Sequence, residues 1–170
     1  MMGNLVDQHV RESIFRVKRG LCGYVSYLAA CEMNQAFSEY VLYEPILRIL
    51  TARGYDVNCE YICPGIDQPR SGDKKRLDFY AKKPGSSFAM EVKWLTSSHL
   101  RVIKDTEKLL AFSQAEPDSL AFLLVFGRQS HVKHIDFEEA PYKEWGTPVY
   151  ADLRKTKYGC RVFRISEATL

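Results

Sequence analysis

Residues 76–94, RLDFYAKKPGSSFAMEVKW, constrain this chain more than any other stretch. Two runs of alternating apolar and polar residues flank Lys83-Pro84-Gly85-Ser86, where Pro followed by Gly marks a chain reversal. With the turn centred between Pro84 and Gly85, the strands pair antiparallel and Lys83 faces Ser86. Counting outward then brings Asp78 opposite Glu91. Side chains alternate faces along a strand, so Phe88, Met90, Val92 and Trp94 share an apolar face with Leu77 and Phe79. Ala89, Glu91 and Lys93 share the other face with Asp78.

Like charges directly opposed across a sheet are destabilising. Either neighbouring cations such as Arg76 or Lys93 relieve the conflict, as in an ordinary scaffold, or a bound divalent ion does, because such an ion is the largest charge in its surroundings. Two carboxylates, a lysine and a hard ion are sufficient for phosphodiester hydrolysis. The ion polarises the phosphoryl oxygen and generates hydroxide, and the ammonium holds a phosphate oxygen or orients the water.

Bulk properties set the frame for that chemistry. The 170 residues are 46% hydrophobic and 26% charged, a composition that supports one domain with its own core and argues against a second. A formal net charge of +3 permits a polyanionic partner without demanding one. The odd set of cysteines, Cys22, Cys31, Cys59, Cys63 and Cys160, has no disulfide framework, so reduced thiols and a cytoplasmic location are expected. No apolar run approaches the ~18 residues that span a bilayer, and Asp7, Arg11 and Glu12 stand where a signal peptide would be apolar. Membrane and export roles are therefore not expected.

Along the chain, Val6, Val10, Ile14 and Phe15 suggest a first amphipathic helix over 5–17 ending at Gly20, and a second helical stretch runs over 24–33. These form either a helical cap on the core or, through Arg16, Lys18 and Arg19, a clamp or dimer surface. Residues 38–54 read as one helix capped by Ser38 and stopped at Gly54, kinked or restarted at Pro45. On it Glu39 falls on the stripe of Leu42, Tyr43, Ile46 and Leu50, while Glu44 is spaced to pair with Arg48. An inward carboxylate needs a partner, so Glu39 is either a candidate site acid, with Glu44 and Glu60 as alternatives, or a helix N-terminal acid favoured by the macrodipole. A first strand is expected over 55–63.

The loop that follows carries Arg70, Lys74, Lys75 and Arg76, and with Lys82 and Lys83 at the hairpin tip it concentrates positive charge beside Asp78. It is either a phosphate-backbone contact or a solvated loop. A helix from Ser97-Ser98 to about Ser113 would turn Leu100, Ile103, Leu109 and Leu110 inward and Arg101, Lys104, Asp105, Glu107 and Lys108 outward. SLAFLLVFG, residues 119–127, reads as a strand buried on both faces. Residues 148–165 suggest a second hairpin around Lys157-Tyr158-Gly159, whose Arg154, Lys155, Lys157, Arg161 and Arg164 either extend a binding surface or keep an edge strand soluble. Cys59 and Cys63 with His131 and His134 make a poor zinc set, since one pair would sit in a strand.

Asp78, Glu91 and Lys93 resemble the D-x(n)-[DE]-x-K signature of the PD-(D/E)xK nuclease superfamily, with Leu77 where the superfamily's name has proline. The order helix, strand, hairpin, helix, strand over 38–127 is similar to that superfamily's αβββαβ core. The resemblance implies an α/β, restriction-endonuclease-like fold with a mixed sheet flanked by helices. An N-terminal helical extension (1–37) and a C-terminal extension with a hairpin (128–170) would complete a single domain. It further implies a nuclease using Mg²⁺ or Mn²⁺, with Asp78, Glu91, the Val92 carbonyl and Glu39 around the ion and Lys93 at the water or scissile phosphate. DNA is expected ahead of RNA as the substrate, and many such enzymes cut duplexes as homodimers. Some relatives hold an iron–sulfur cluster through several cysteines after the E-x-K strand, but here only Cys160 follows it, so none is expected. The competing reading is a nucleic-acid-binding or protein-interaction module that keeps the fold without turnover.

Overall fold

Two apolar runs set the centre of the sheet. β3 (Ser86–Leu95) and β4 (Leu120–Arg128) are buried on both faces over most of their lengths and lie side by side in parallel. β2 (Arg76–Lys83) returns antiparallel to β3 through a turn that places Gly85 at φ 73°, a conformation glycine adopts without steric cost. β1 (Asp56–Ile62) adds antiparallel to β2. α3 (Ile103–Ala115) makes the crossover from β3 to β4. β7 (Tyr158–Ile165) lies antiparallel to β4, and the short β5 (Tyr142–Glu144) and β6 (Val149–Tyr150) pair with β7. The protein is thus α/β, with a mixed, open sheet flanked by helices, seven-stranded among the described residues, of order β1-β2-β3-β4-β7-β5 with β6 paired to β7 off that path. The computed structural model describes residues 2–97, 99–137, 141–151 and 156–165, with backbone alone for 2–7.

A hydrophobic core fills each face of the sheet. On one side α1 (Met2–Ala30) and α2 (Tyr43–Ala52) pack Ile14, Leu21, Ile46 and Leu50 over Phe79, Met90, Phe122 and Leu124. On the other, α3 places Leu109 and Phe112 over Leu77, Ala89, Leu123 and Val125. The short α4 (Gln129–Val132) follows β4.

Several local expectations need correction. The N-terminal segment is one helix, α1, because Gly20 acts as a contact point rather than a stop: a Cβ there would lie 2.3 Å from Ile49 Cδ1 on α2. Phe15 is 42% exposed, and Lys18, far from joining a basic surface, is buried with Nζ donating to the carbonyls of Trp145 (3.3 Å) and Thr147 (2.6 Å). The segment after Ser38 begins as a 3-10 turn (Glu39–Leu42) without a side-chain cap, and α2 then starts at Tyr43. Pro45 therefore sits in the first turn of α2, where its missing N–H costs no hydrogen bond. α3 begins at Ile103 rather than at Ser97: the Ser97 hydroxyl accepts the His99 amide (3.3 Å) in a local turn, and residues 99–102 are not helical. Ile103 is consequently 77% exposed, not inward.

A C-terminal hairpin is present as β6 and β7, but Tyr158 and Gly159, expected in its turn, lie in β7, where Gly159 pairs with Tyr150. β7 is an interior strand, however, and Arg161 is tied down by Glu144 (2.8 Å) and the carbonyls of Val132 and Ile135. The expected contributions of Arg154, Lys155 and Ser98, and of the Val6 side chain, lie outside the described residues. No helix among the described residues is long and apolar enough to cross a membrane.

The revised start of α3 is testable by urea denaturation. Leu109→Ala, which empties a fully buried site, is expected to cost about 3 kcal/mol. Ile103→Ala is expected to change stability by less than about 0.5 kcal/mol.

Candidate functional site

The expected turn register is present, with Lys83 paired to Ser86 and Phe79 to Met90, but the β2–β3 ladder ends at that last pair. Beyond it, the Val92 amide donates to Asp78 Oδ2 (2.6 Å) instead of to a backbone carbonyl. The β1–β2 ladder runs from Asp56 to Ile62 but skips the Glu60–Asp78 pair, and Glu60 adopts φ 54°, unusual for a residue with a side chain. Asp78 therefore sits in a fork where neither neighbouring strand pairs with it. The pleat inverts across this point, so Leu77 joins the α3 core and Phe79 the α1/α2 core. This corrects the expectation that Leu77 and Phe79 share a face, because uniform alternation holds only where the ladder is regular.

Asp78 and Glu91 do not share one open charged face as expected. The Asp78 carboxylate occupies the fork, where its Oδ1 accepts from Tyr43 Oη of α2 at 2.5 Å. Glu91, only 1% exposed, projects under α3, where Lys108 Nζ lies 2.6 Å from Oε1. That distance pairs the charges, but the angles leave Oε1 without a well-directed hydrogen bond among the described residues. Burial first, and then the neighbouring Asp78 charge, push the Glu91 carboxyl up to about 9 against the opposing pull of Lys108. Burial and the bond to Asp78 likewise raise the Tyr43 phenol.

Lys93 lies between two acids, 3.3 Å from Asp105 Oδ2 and 3.7 Å from Glu39 Oε1. Burial lowers its pKa, but Asp105 and Glu39 outweigh burial and the net shift is upward. Glu39 also accepts the Trp94 amide at 3.3 Å, so its contacts are with Lys93 and the strand beyond it. Glu44 pairs with Arg48 on the exposed face of α2, as its spacing implies. Glu60 is exposed.

Three participants escaped the sequence reading. Tyr43 was counted as core, and Asp105 and Lys108 as outward. With α3 starting at Ile103, Asp105 shares the stripe of Leu109 and Phe112 at i, i+4 and i+7, and is 6% exposed. Lys108 bridges Glu91, Asp105 (3.7 Å) and the Arg76 carbonyl (2.8 Å).

Around this centre, Arg70, Lys74, Lys75 and Arg76 are exposed, and Lys74 donates to the Pro69 carbonyl (2.8 Å). Gln68 braces the loop by accepting the Lys75 amide at 2.8 Å. Lys82 and Lys83 are not beside the site: at about 3.3 Å per residue, the tip is roughly 15 Å along the strand from Asp78. There Lys83 packs over the Tyr55 ring at 4.2 Å.

The donor chemistry suits a hard divalent ion. Asp78 and Glu91 offer carboxylate oxygens near each other, and among the described residues each Asp78 oxygen accepts one hydrogen bond. Among the described residues no three His, Cys, Asp or Glu side chains converge on one point. Two carboxylates still fit Mg²⁺, which usually keeps several waters and binds through one or two carboxylates plus substrate phosphate. Lys108 competes with such an ion for Glu91.

The raised Glu91 pKa has a signed consequence for stability. The group binds its proton more tightly when folded than at its ordinary value of 4.5. Its stabilising contribution is therefore full below about pH 4.5 and lost as pH rises through about 9. In EDTA, the thermal midpoint of the wild type is expected to fall between pH 5 and pH 9 more steeply than that of Glu91→Gln. Equal slopes would show that Glu91 carries no such burden.

Comparison of the sequence with protein-family models and with curated proteins, and of the fold with solved structures, found no match.

Proposed function

We propose that this protein is a metal-dependent phosphodiesterase of the PD-(D/E)xK type, a nuclease acting on DNA ahead of RNA. The observation that carries the reading is the fork itself: Asp78 set between two strands, a buried Glu91 beside it, and Lys93 two residues further along the same strand. The strand order and directions, with β3 parallel to β4 and helices on both faces, support it as well.

In this reading Asp78 and Glu91, with the Val92 carbonyl, would hold Mg²⁺ or Mn²⁺. A bound ion would supply Lewis acidity at the phosphoryl oxygen and lower the pKa of a water. Tyr43 and the Val92 amide fix the Asp78 carboxylate by one hydrogen bond to each oxygen. Lys93, kept protonated by Asp105 and Glu39, offers an ammonium to a phosphate oxygen or to the attacking water. Glu39 thereby acts through Lys93, positioning its ammonium. The exposed Arg70, Lys74, Lys75 and Arg76 flank the entry to β2 and would neutralise backbone phosphates.

One observation favours the rival, a binding module without turnover: Lys108 already pairs with Glu91 where an ion would act. Hydrolysis of plasmid and of single-stranded DNA with Mg²⁺ or Mn²⁺ separates the two. Asp78→Asn and Lys93→Ala are each expected to lower the rate by about 10²–10³, the usual effect of removing one preorganised electrostatic group. Cutting that persists in both variants would refute the assignment, and binding without cutting by the wild type would favour the rival.

A further inference from the structure

A recess of about 400 Å³ opens at the carboxyl ends of β3 and β4, lined by Asn34, Phe37, Trp94, Arg128, His131 and Tyr158 among others. It adjoins the candidate active site through two separate chain segments. Trp94 follows Lys93 directly, and Phe37 lies two residues before Glu39, which contacts both Lys93 and the Trp94 amide. The carboxyl ends of parallel strands are where open α/β sheets bind ligands.

The lining combines flat apolar walls with hydrogen-bonding edges. Phe37 and Trp94 are half-buried rings 5.4 Å apart, and Phe37 meets the Tyr158 ring edge-on at 5.8 Å. Asn34 and Arg128 are exposed beside them, and among the described residues nothing hydrogen-bonds the buried Nδ1 of His131. Aromatic faces with convergent donors and acceptors suit a planar, polar-edged heterocycle, and the volume lies within the roughly 300–1,000 Å³ of small-ligand sites. From the same Arg128 a second depression of about 440 Å³ continues along Gln129, Ser130, Lys133 and Lys157, a polar and cationic path for a phosphate chain.

We propose that this recess holds an unstacked nucleobase of the substrate strand, next to the phosphate that is cut, with the strand continuing along the Arg128–Lys133 depression. The proposal rests on the phosphodiesterase reading and adds a substrate class to it. A base in a duplex stack cannot enter the recess, so the preferred substrate is single-stranded, or carries a flap or frayed end.

The chain has two tryptophans, and Trp145 is buried against Phe122 (centroids 5.5 Å apart), so quenching by a bound base reports Trp94. The experiment titrates the full chain in EDTA, where no hydrolysis occurs, with a single-stranded 12-mer, a blunt duplex of the same sequence and a mononucleotide. The single strand is expected to quench the fluorescence and to bind about tenfold tighter than the duplex. Phe37→Ala and Arg128→Ala, checked for folding by circular dichroism, should each weaken that binding about tenfold, and Trp94→Phe should abolish the quenching.

Equal binding of duplex and single strand, no quenching, or unaltered affinity in folded Phe37→Ala would overturn the proposal. So would a mononucleotide that binds as tightly as the 12-mer. Failure here with hydrolysis that still depends on Asp78 and Lys93 would remove the base recess and leave the phosphodiesterase reading intact. Quenching that requires Phe37 in a protein that hydrolyses nothing would uphold the recess as a nucleic-acid site and remove the hydrolytic reading.

Discussion

The hydrogen bond from the Val92 amide to Asp78 Oδ2 is the point on which the candidate site depends. A strand amide at the centre of a sheet must find an acceptor, and here a carboxylate supplies it where the β2–β3 ladder has ended. The side chain thus does two things at once. It satisfies a backbone donor that the separating strands would otherwise orphan, and it is held rigidly at the mouth of the resulting fork. Tyr43 completes the hold from α2, so the acid is fixed by elements on either side of it. The skipped Glu60–Asp78 pair and the inverted pleat between Leu77 and Phe79 belong to the same local disruption.

The charge arrangement follows from that geometry. Glu91 is buried beside an acid that the backbone keeps in place, so its ionised form is disfavoured unless a cation approaches. Lys108 approaches Glu91 from α3, whereas Lys93 of β3 pairs with Asp105 and Glu39, and Asp105 lies within 4 Å of both ammonium groups. Glu39, Asp105 and Glu91 with Lys93 and Lys108 thus form one connected network of three carboxyl and two ammonium groups across β3, α3 and the 3-10 turn. With Asp78 beside Glu91, four acids face two ammonium groups, an imbalance that proton uptake by Glu91 offsets and that a bound divalent ion would offset in its place.

How much of this was legible beforehand differs by element. The hairpin register was readable as far as Phe79–Met90 because Pro84-Gly85 fixes the turn and the turn fixes the pairs outward from it while the ladder is regular. β4 was readable because a continuous apolar run has few alternatives to a doubly buried strand. The fork was not, because alternation rules assume an unbroken ladder and no local signal announces that Glu60 takes a positive φ. Asp105 and Lys108 were misplaced by a helix start set at a serine that turned out to satisfy a neighbouring amide, so the stripe was read in the wrong phase. Gly20 was read as a helix end because glycine serves equally for stops and for close helix contacts, and only the position of Ile49 decides between them.

The central claim is that the fork holds a divalent ion through Asp78 and Glu91. Calorimetric titration of Mn²⁺ into the metal-free wild type, Asp78→Asn and Glu91→Gln tests it directly. Saturable binding of one ion by the wild type, lost or weakened at least about tenfold in both variants, is the predicted result. Absence of saturable binding, or binding that both variants retain unchanged, would contradict it.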